Sequence, residues 1–393
     1  MERKESIIPK SITFIVTKDC QLACKYCYLV GKNNAGRMTF DTAKKAVDYL
    51  TGDKVTFNNK SVLFDFIGGE PLLEIELIDK ICDYIKHKLY TTNHKWFENY
   101  RFAITTNGLM YNNEKVQQFI KKNIRHLDIT ISIDGVEKKH DIQRIYPNGR
   151  GSYKDVVKNI TSWVNQFHEV STKVTISSDD IPYITESVLH IWDLGITHIY
   201  MNTVNENVWK DDDEILYENE LIKLADTIID NNLFKEKTCS IFNENVGRPL
   251  DPIRENKNWC GTGSMIAIDE KGYFYPCLRF ADYSLRSKKP IIIGDIENGI
   301  NHNLLRPFLS LDRKTQNTPE CFNCEIASGC SWCQGENYDS ADTNTIFQRS
   351  MAICKMHKAA VKANNYYWSK LYLKLDKEER ELIKKNPELC CNI

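Results

Sequence analysis

Nothing in the 393-residue chain approaches the eighteen or so apolar residues that span a bilayer, so no membrane-spanning helix is expected. The N-terminus, Met-Glu-Arg-Lys-Glu-Ser, is charged and leads into no apolar run, so it does not read as a signal peptide. An excess of charge is missing too: 52 Lys and Arg face 53 Asp and Glu. No global field therefore points to nucleic acid or to a membrane surface, and any peptide partner must be caught by local features. Low-complexity segments and internal repeats are also absent. These absences imply a cytosolic protein. Its length suggests two or three domains, and a hydrophobic content of 42% is ample for a packed core. Fourteen cysteines in a reducing compartment point to metal rather than to disulfides.

The densest chemistry is Cys20-x3-Cys24-x2-Cys27, with Tyr26 directly before the last cysteine. It follows the strand-like run 12–16. Three thiolates this close can hold three corners of an iron–sulfur cube and leave one iron open for a small ligand. Zinc is the competitor for soft thiolates, but a structural zinc site wants a fourth protein ligand, and none lies near in sequence.

From residue 11 to about 204, β-branched runs alternate with helix-patterned segments. Strands are expected at 12–16, 62–66, 102–105, 127–133, 174–176 and 198–201. Between them Ala43, Ala46, Val47 and Leu50 share a helical face, as do Ile75, Ile78, Ile81, Cys82, Ile85 and Leu89, and later Val156, Val157, Ile160 and Val164. Repeated strand–helix units imply a parallel sheet, and six of them suggest an open, partial barrel. In such a sheet active residues gather at the C-terminal strand ends. The cysteine loop follows the first strand, Gly68-Gly69-Glu70-Pro71 the second and Thr106-Asn107-Gly108 the third, while Ser132 and Asp134-Gly135 end the fourth.

The triplet with its tyrosine resembles the signature of the radical S-adenosylmethionine (SAM) enzymes. That resemblance implies a partial (β/α)6, TIM-like barrel. It also implies a [4Fe–4S] cluster on Cys20, Cys24 and Cys27, and SAM on the open iron, cleaved to a 5′-deoxyadenosyl radical that abstracts a substrate hydrogen. The cofactor carries the hard chemistry, and no protein base is assigned. Gly68, Gly69, Glu70 and Pro71 match the superfamily's Gly-Gly-Glu-Pro motif, whose backbone, assisted by the carboxylate, holds the SAM amine. Tyr26, Asn107, Ser132 and Asp134 fall where similar enzymes contact SAM, and Arg144 resembles an arginine that reaches its carboxylate.

A second cysteine series runs Cys260-x11-Gly272-x4-Cys277, then Cys321-x2-Cys324-x5-Cys330-x2-Cys333, then Cys354. It resembles the SPASM domain of radical SAM peptide maturases, which implies two auxiliary [4Fe–4S] clusters. Cys260, Cys277 and Cys333 would hold the first, although the last spacing is two residues where the usual pattern has three. Cys321, Cys324, Cys330 and Cys354 would hold the second. The first set has only three thiolates; its fourth ligand is Cys239, a non-cysteine group or the substrate. Zinc ribbons remain the alternative for the Cys-x2-Cys pairs. Cys82 reads as core, and Cys390 and Cys391 as tail residues. The domains expected are an N-terminal extension 1–10, a radical SAM barrel 11–235, a bridge 236–259, an auxiliary-cluster domain 260–365 and a charged helical tail 366–393.

Sulfatase maturases usually carry a basic aspartate directly after the cysteine equivalent to Cys277, whereas this chain has Leu278 and Arg279. The stretches around Cys20, Gly68 and Cys330 look most like maturases of peptides with Cys-x-x-x repeats, of the ranthipeptide and sactipeptide kinds. The resemblance implies thioether links between a cysteine sulfur and a carbon of a ribosomally made precursor peptide with a leader. It also implies an electron donor such as flavodoxin or ferredoxin. Because only about ten residues precede the first strand, leader recognition falls to a separate leader-binding protein, to residues 205–259, where Arg248 and Arg254 stand, or to the barrel surface. Other products (formylglycine, an epimer, a carbon–carbon link) are the alternative, and a non-catalytic iron–sulfur or zinc protein is the third reading.

Overall fold

The computed structural model describes residues 10–33, 36–53, 55–167, 170–250, 256 and 260–385. The expectations for residues 1–9, most of 251–259 (with Arg254), Cys390 and Cys391 fall outside them.

All six expected strands are present: β1 (Lys10–Thr17), β2 (Val62–Gly68), β3 (Tyr100–Thr106), β4 (Leu127–Ile131), β5 (Ser171–Ile176) and β6 (His198–Thr203). The helices between them are α1 (Phe40–Gly52), α2 (Ile75–Thr91), α3 (Glu114–Asn123), α4 (Glu137–Gln143), α5 (Tyr153–Gln166), α6 (Ile184–Asp193) and α7 (Asp213–Asp230). Period-2 alternation sends Val62, Phe64 and Phe66 to the helix side of β2, where Phe66 stacks on Phe14 and tilts against Phe102, with ring centroids about 6 Å apart. The faces expected of α1 and α2 are buried in full. In α5, Val156 and Ile160 are buried, but Trp163 fills the place expected of Val164, because a larger ring reaches the sheet and bonds the Ile129 carbonyl at 2.9 Å.

The barrel is open in two senses. Strands β1 to β4 form one parallel sheet, while β5, β6 and the short β7 (Thr238–Cys239) form another. A side chain bridges the seam: Thr172 Oγ1 donates to the Ile131 carbonyl at 2.8 Å and accepts from the Ile133 amide at 3.3 Å. On the other flank β1 is not an edge. The strand β8 (Ile266–Ile268), from the cysteine-rich region, pairs parallel to it, and β9 (Tyr273–Tyr275), β10 (Gly294–Asp295) and β11 (Gly299–Ile300) continue the sheet antiparallel. Covering β1 in this way removes a row of unpaired amides that would otherwise invite association.

The long helix Cys354–Lys374 runs unbroken through the boundary expected at 365/366 and lies along α7. A ladder of ion pairs, Lys355–Glu214, Lys362–Glu218 and Lys370–Asp226, at 2.7–3.0 Å, lines the contact. Among the described residues, no helix is long and apolar enough to cross a membrane.

Thr172→Val keeps the shape but leaves the Ile131 carbonyl and the Ile133 amide unserved. A loss of about 1–3 kcal/mol in urea unfolding is expected; an unchanged midpoint would show that the seam needs no bridge.

Candidate active site

The cysteine loop leaves β1 and is pinned by backbone bonds from Ala23 to the Ile145 carbonyl at 2.7 Å and from Lys25 to the Gln143 carbonyl at 2.9 Å. Cys20, Cys24 and Cys27 are half-buried free thiols, and Cys20 receives an amide bond from Leu22 at 3.4 Å. Burial pushes Cys20 up to about 11 and raises Cys24, each reinforced by its neighbouring thiol. A metal must therefore displace protons to bind. Among the described residues, no three His, Cys, Asp or Glu side chains converge on a single ion. Three soft thiols on one loop are the donors an iron–sulfur cube takes, one thiolate to each iron.

Tyr26, Asp134 and Arg144 meet behind the loop. The Tyr26 hydroxyl donates to Asp134 Oδ2 at 2.5 Å and accepts from Arg144 Nη1 at 2.8 Å. Burial works against ionised Asp134, yet Lys139 and Arg144 hold its carboxyl below the ordinary range. Arg144 Nε is buried without a partner, a cationic donor of the kind a carboxylate takes. That spare donor beside the triplet fits an amino-acid carboxylate such as SAM's.

The Gly68-Gly69-Glu70-Pro71 turn packs directly on the start of the cysteine loop. A Cβ on Gly68 would lie 2.2 Å from the Thr17 carbonyl oxygen, and one on Gly69 2.3 Å from that of Asp19. The close approach that demands glycine is thus to the chain's own backbone. The amides of Gly69 and Glu70 donate to those carbonyls at 2.9 and 2.8 Å. Glu70 is fully buried, and its carboxylate accepts from the Leu72 amide, the Thr106 hydroxyl and the Asn107 amide at 2.6–3.0 Å. These bonds offset much of the desolvation that raises its pKa. The carboxylate orders the turn, and Pro71 opens the short helical turn that follows. Asn107 also donates to Gln21 of the cysteine loop at 3.0 Å, and the Ser132 amide bonds the Thr106 carbonyl at 2.9 Å.

Cys260, Cys277 and Cys333 come together, close enough for the other two to raise Cys277, which burial already pushes to about 12. Cys239 does not join them. It is buried on β7 with its thiol 3.0 Å from the Met201 sulfur, so the expectation that it could be the fourth ligand is corrected. Cys321, Cys324, Cys330 and Cys354 instead line a cavity of about 350 Å³ with Trp332 and Arg349, whose Nη2 reaches Cys330 Sγ at 3.3 Å. Both donor sets fit a thiolate-bound group.

Sequence reasoning missed the junction between the first two thiol groups. The Arg279 guanidinium lies 4.5 Å over the Tyr28 ring, next to Cys27, and pairs with Glu206 and Glu336 at 2.7 and 3.0 Å. The partners stand 73 and 57 residues away in sequence, so no local pattern marks them.

These features agree with what the chain is similar to. Residues 14–187 match the Radical SAM superfamily. An uncharacterised protein of Methanocaldococcus jannaschii, MJ0907, is 30% identical over 274 residues, covering 68% of this chain and 84% of that one. The radical SAM cyclopropyl synthase TigE of Paramaledivibacter caminithermalis is 22% identical, over 82% of this chain and 67% of its own. The fold matches that of anSMEcpe, solved with AdoMet and the Cp18Cys peptide, at a TM-score of 0.66 and 16% identity over 93% of this chain and 98% of that one. The chain belongs to the radical SAM superfamily and is an enzyme related to maturases of peptides and proteins. SAM and a [4Fe–4S] cluster are the cofactors that membership implies.

Gly69→Ala forces a methyl into the Asp19 carbonyl and is expected to cost about 1–3 kcal/mol in thermal or urea unfolding; full stability would mean that the turn has slack.

Proposed function

We propose that this enzyme forms thioether links in a cysteine-rich, ribosomally made peptide, with Cys20, Cys24 and Cys27 holding the [4Fe–4S] cluster. SAM bound there would supply a 5′-deoxyadenosyl radical. Arg144 offers its spare buried N–H to the SAM carboxylate, and Tyr26 and Asp134 hold that guanidinium in position. The backbone of residues 68–71, ordered by Glu70, takes the SAM amine, and Asn107 and Ser132 line the adjacent strand ends.

The observation that carries the thioether reading is the company of three thiols, Cys260, Cys277 and Cys333, with Cys239 sequestered beside Met201. On a four-iron cluster, three protein thiolates leave a position that a substrate sulfur fills, which both ionises the sulfur and holds it near the reacting carbon. A second auxiliary cluster would sit among Cys321, Cys324, Cys330 and Cys354. Formylglycine formation is disfavoured by Leu278 after Cys277 and by Arg279, which is committed to Glu206 and Glu336. A flavodoxin- or ferredoxin-like donor supplies electrons, and the leader is read by this chain or by a separate protein.

Anaerobic reconstitution with SAM, a reductant and the cysteine-rich peptide encoded beside the gene tests this. Intact mass should fall by two hydrogens per link, and the linked thiols should resist alkylation. Cys20→Ala should abolish 5′-deoxyadenosine, whereas Cys321→Ala should lower the iron content and spare SAM cleavage. Modification without loss of alkylatable thiol would overturn the thioether reading, and wild-type protein with full iron but no deoxyadenosine would overturn the assigned cluster site.

A further inference from the structure

The carboxylates that the fold buries are well served. Glu70, Asp134, Asp180, Asp269, Glu336 and Asp339 each take hydrogen bonds or ion pairs. Asp65, in the Asp-Phe-Ile-Gly-Gly-Glu-Pro stretch, is the contrast. No hydrogen bond or ion pair reaches it among the described residues, and burial alone pushes its carboxyl up to about 6. A half-buried acid without donors costs folding free energy, and such groups gather at functional sites.

Its place in the sheet is a working one. Val62, Phe64 and Phe66 face the helices, so Leu63, Asp65 and Ile67 face the hollow of the barrel. Thr13 of β1 and Ala103 of β3 flank Asp65 in register, and Ala267 of β8 lies beyond Thr13. None of these titrates. Tyr28, from the cysteine loop, feels Asp65, and Lys173 of β5, on the face opposite buried Thr172 and Val174, feels Cys333 and Arg279. The Tyr28 phenol, with its own proton held on chiefly by burial, feels Arg279, Cys27, Cys277 and Asp65 together. Asp65 therefore shares the Tyr28 phenol as a neighbour with Cys27 and Cys277, and Leu278, directly after Cys277, is no proton acceptor. Arg279 pairs through Nη2 with Glu206 and Glu336, and among the described residues no ion pair joins it to Asp65.

We propose that Asp65 is the catalytic base that takes the substrate thiol proton as the sulfur moves onto the open cluster position, before the carbon–sulfur bond forms, an inference that rests on the thioether reading above. Over the whole reaction one S–H and one C–H bond break and one C–S bond forms. The C–H hydrogen atom goes to the 5′-deoxyadenosyl radical, the thiol proton to a carboxylate oxygen of Asp65, and the surplus electron to an oxidised auxiliary iron–sulfur cluster. Asp65 then releases its proton to water.

The test compares reconstituted wild type with Asp65→Asn, which keeps the shape and removes the acceptor. Thioether links per 5′-deoxyadenosine should fall on the order of 10²-fold, with peptide affinity by fluorescence anisotropy unchanged. The wild-type ratio should drop below about pH 6, where the acid is protonated, and the variant's should not. Asp65→Glu should recover part of the ratio. Folding is checked without cofactors. The raised folded pKa destabilises the native state at high pH, so Asp65→Asn should match or exceed wild type in urea at pH 8, and the gap should close toward pH 4. Equal link ratios in the two proteins, or weaker peptide binding with an unchanged ratio, would overturn the base and leave the thioether reading intact. A wild type that modifies the peptide without any thioether overturns both.

Discussion

Two amide–carbonyl bonds hold the centre of this molecule: Gly69 to Thr17 and Glu70 to Asp19. They join the turn after β2 to the first residues of the cysteine loop at a distance that no side chain allows. Once Glu70 is drawn into that joint, its buried carboxylate must be satisfied, and the Leu72, Thr106 and Asn107 groups do so. The C-terminal ends of β1, β2 and β3 are thereby tied at one point. Tyr26, Asp134 and Arg144 anchor the far side of the loop. Three half-buried thiols are held there without a disulfide.

The same sheet carries the second chemistry. Because β8 pairs with β1, the cysteine-rich region is built onto the strand that launches the cysteine loop. The Val30 amide bonds the Tyr283 carbonyl at 2.7 Å, Lys18 pairs with Glu270 at 2.9 Å, and Arg279 caps the Tyr28 ring. Each contact joins the loop to a residue beyond position 260. The groups Cys20–Cys24–Cys27 and Cys260–Cys277–Cys333 therefore share one framework rather than two hinged ones. A framework of this kind sets proximity and orientation before a substrate arrives.

Much of this was legible along the chain. The six parallel strands and the buried faces of α1 and α2 follow from local periodicity, because an alternation of two or of 3.6 residues needs only neighbours to be recognised. The cysteine triplet is visible as a motif by spacing alone. Where residue type and shape compete within one face, as with Trp163 and Val164, periodicity names the face but not the side chain that reaches the sheet. The seam at Thr172, the pairing of β8 with β1, the withdrawal of Cys239 to Met201, the partners of Arg279 and the solitude of Asp65 were decided only by the tertiary structure. Each depends on groups tens to hundreds of residues apart. Whether a buried polar atom finds a donor is settled by packing in three dimensions, which no spacing in one dimension encodes.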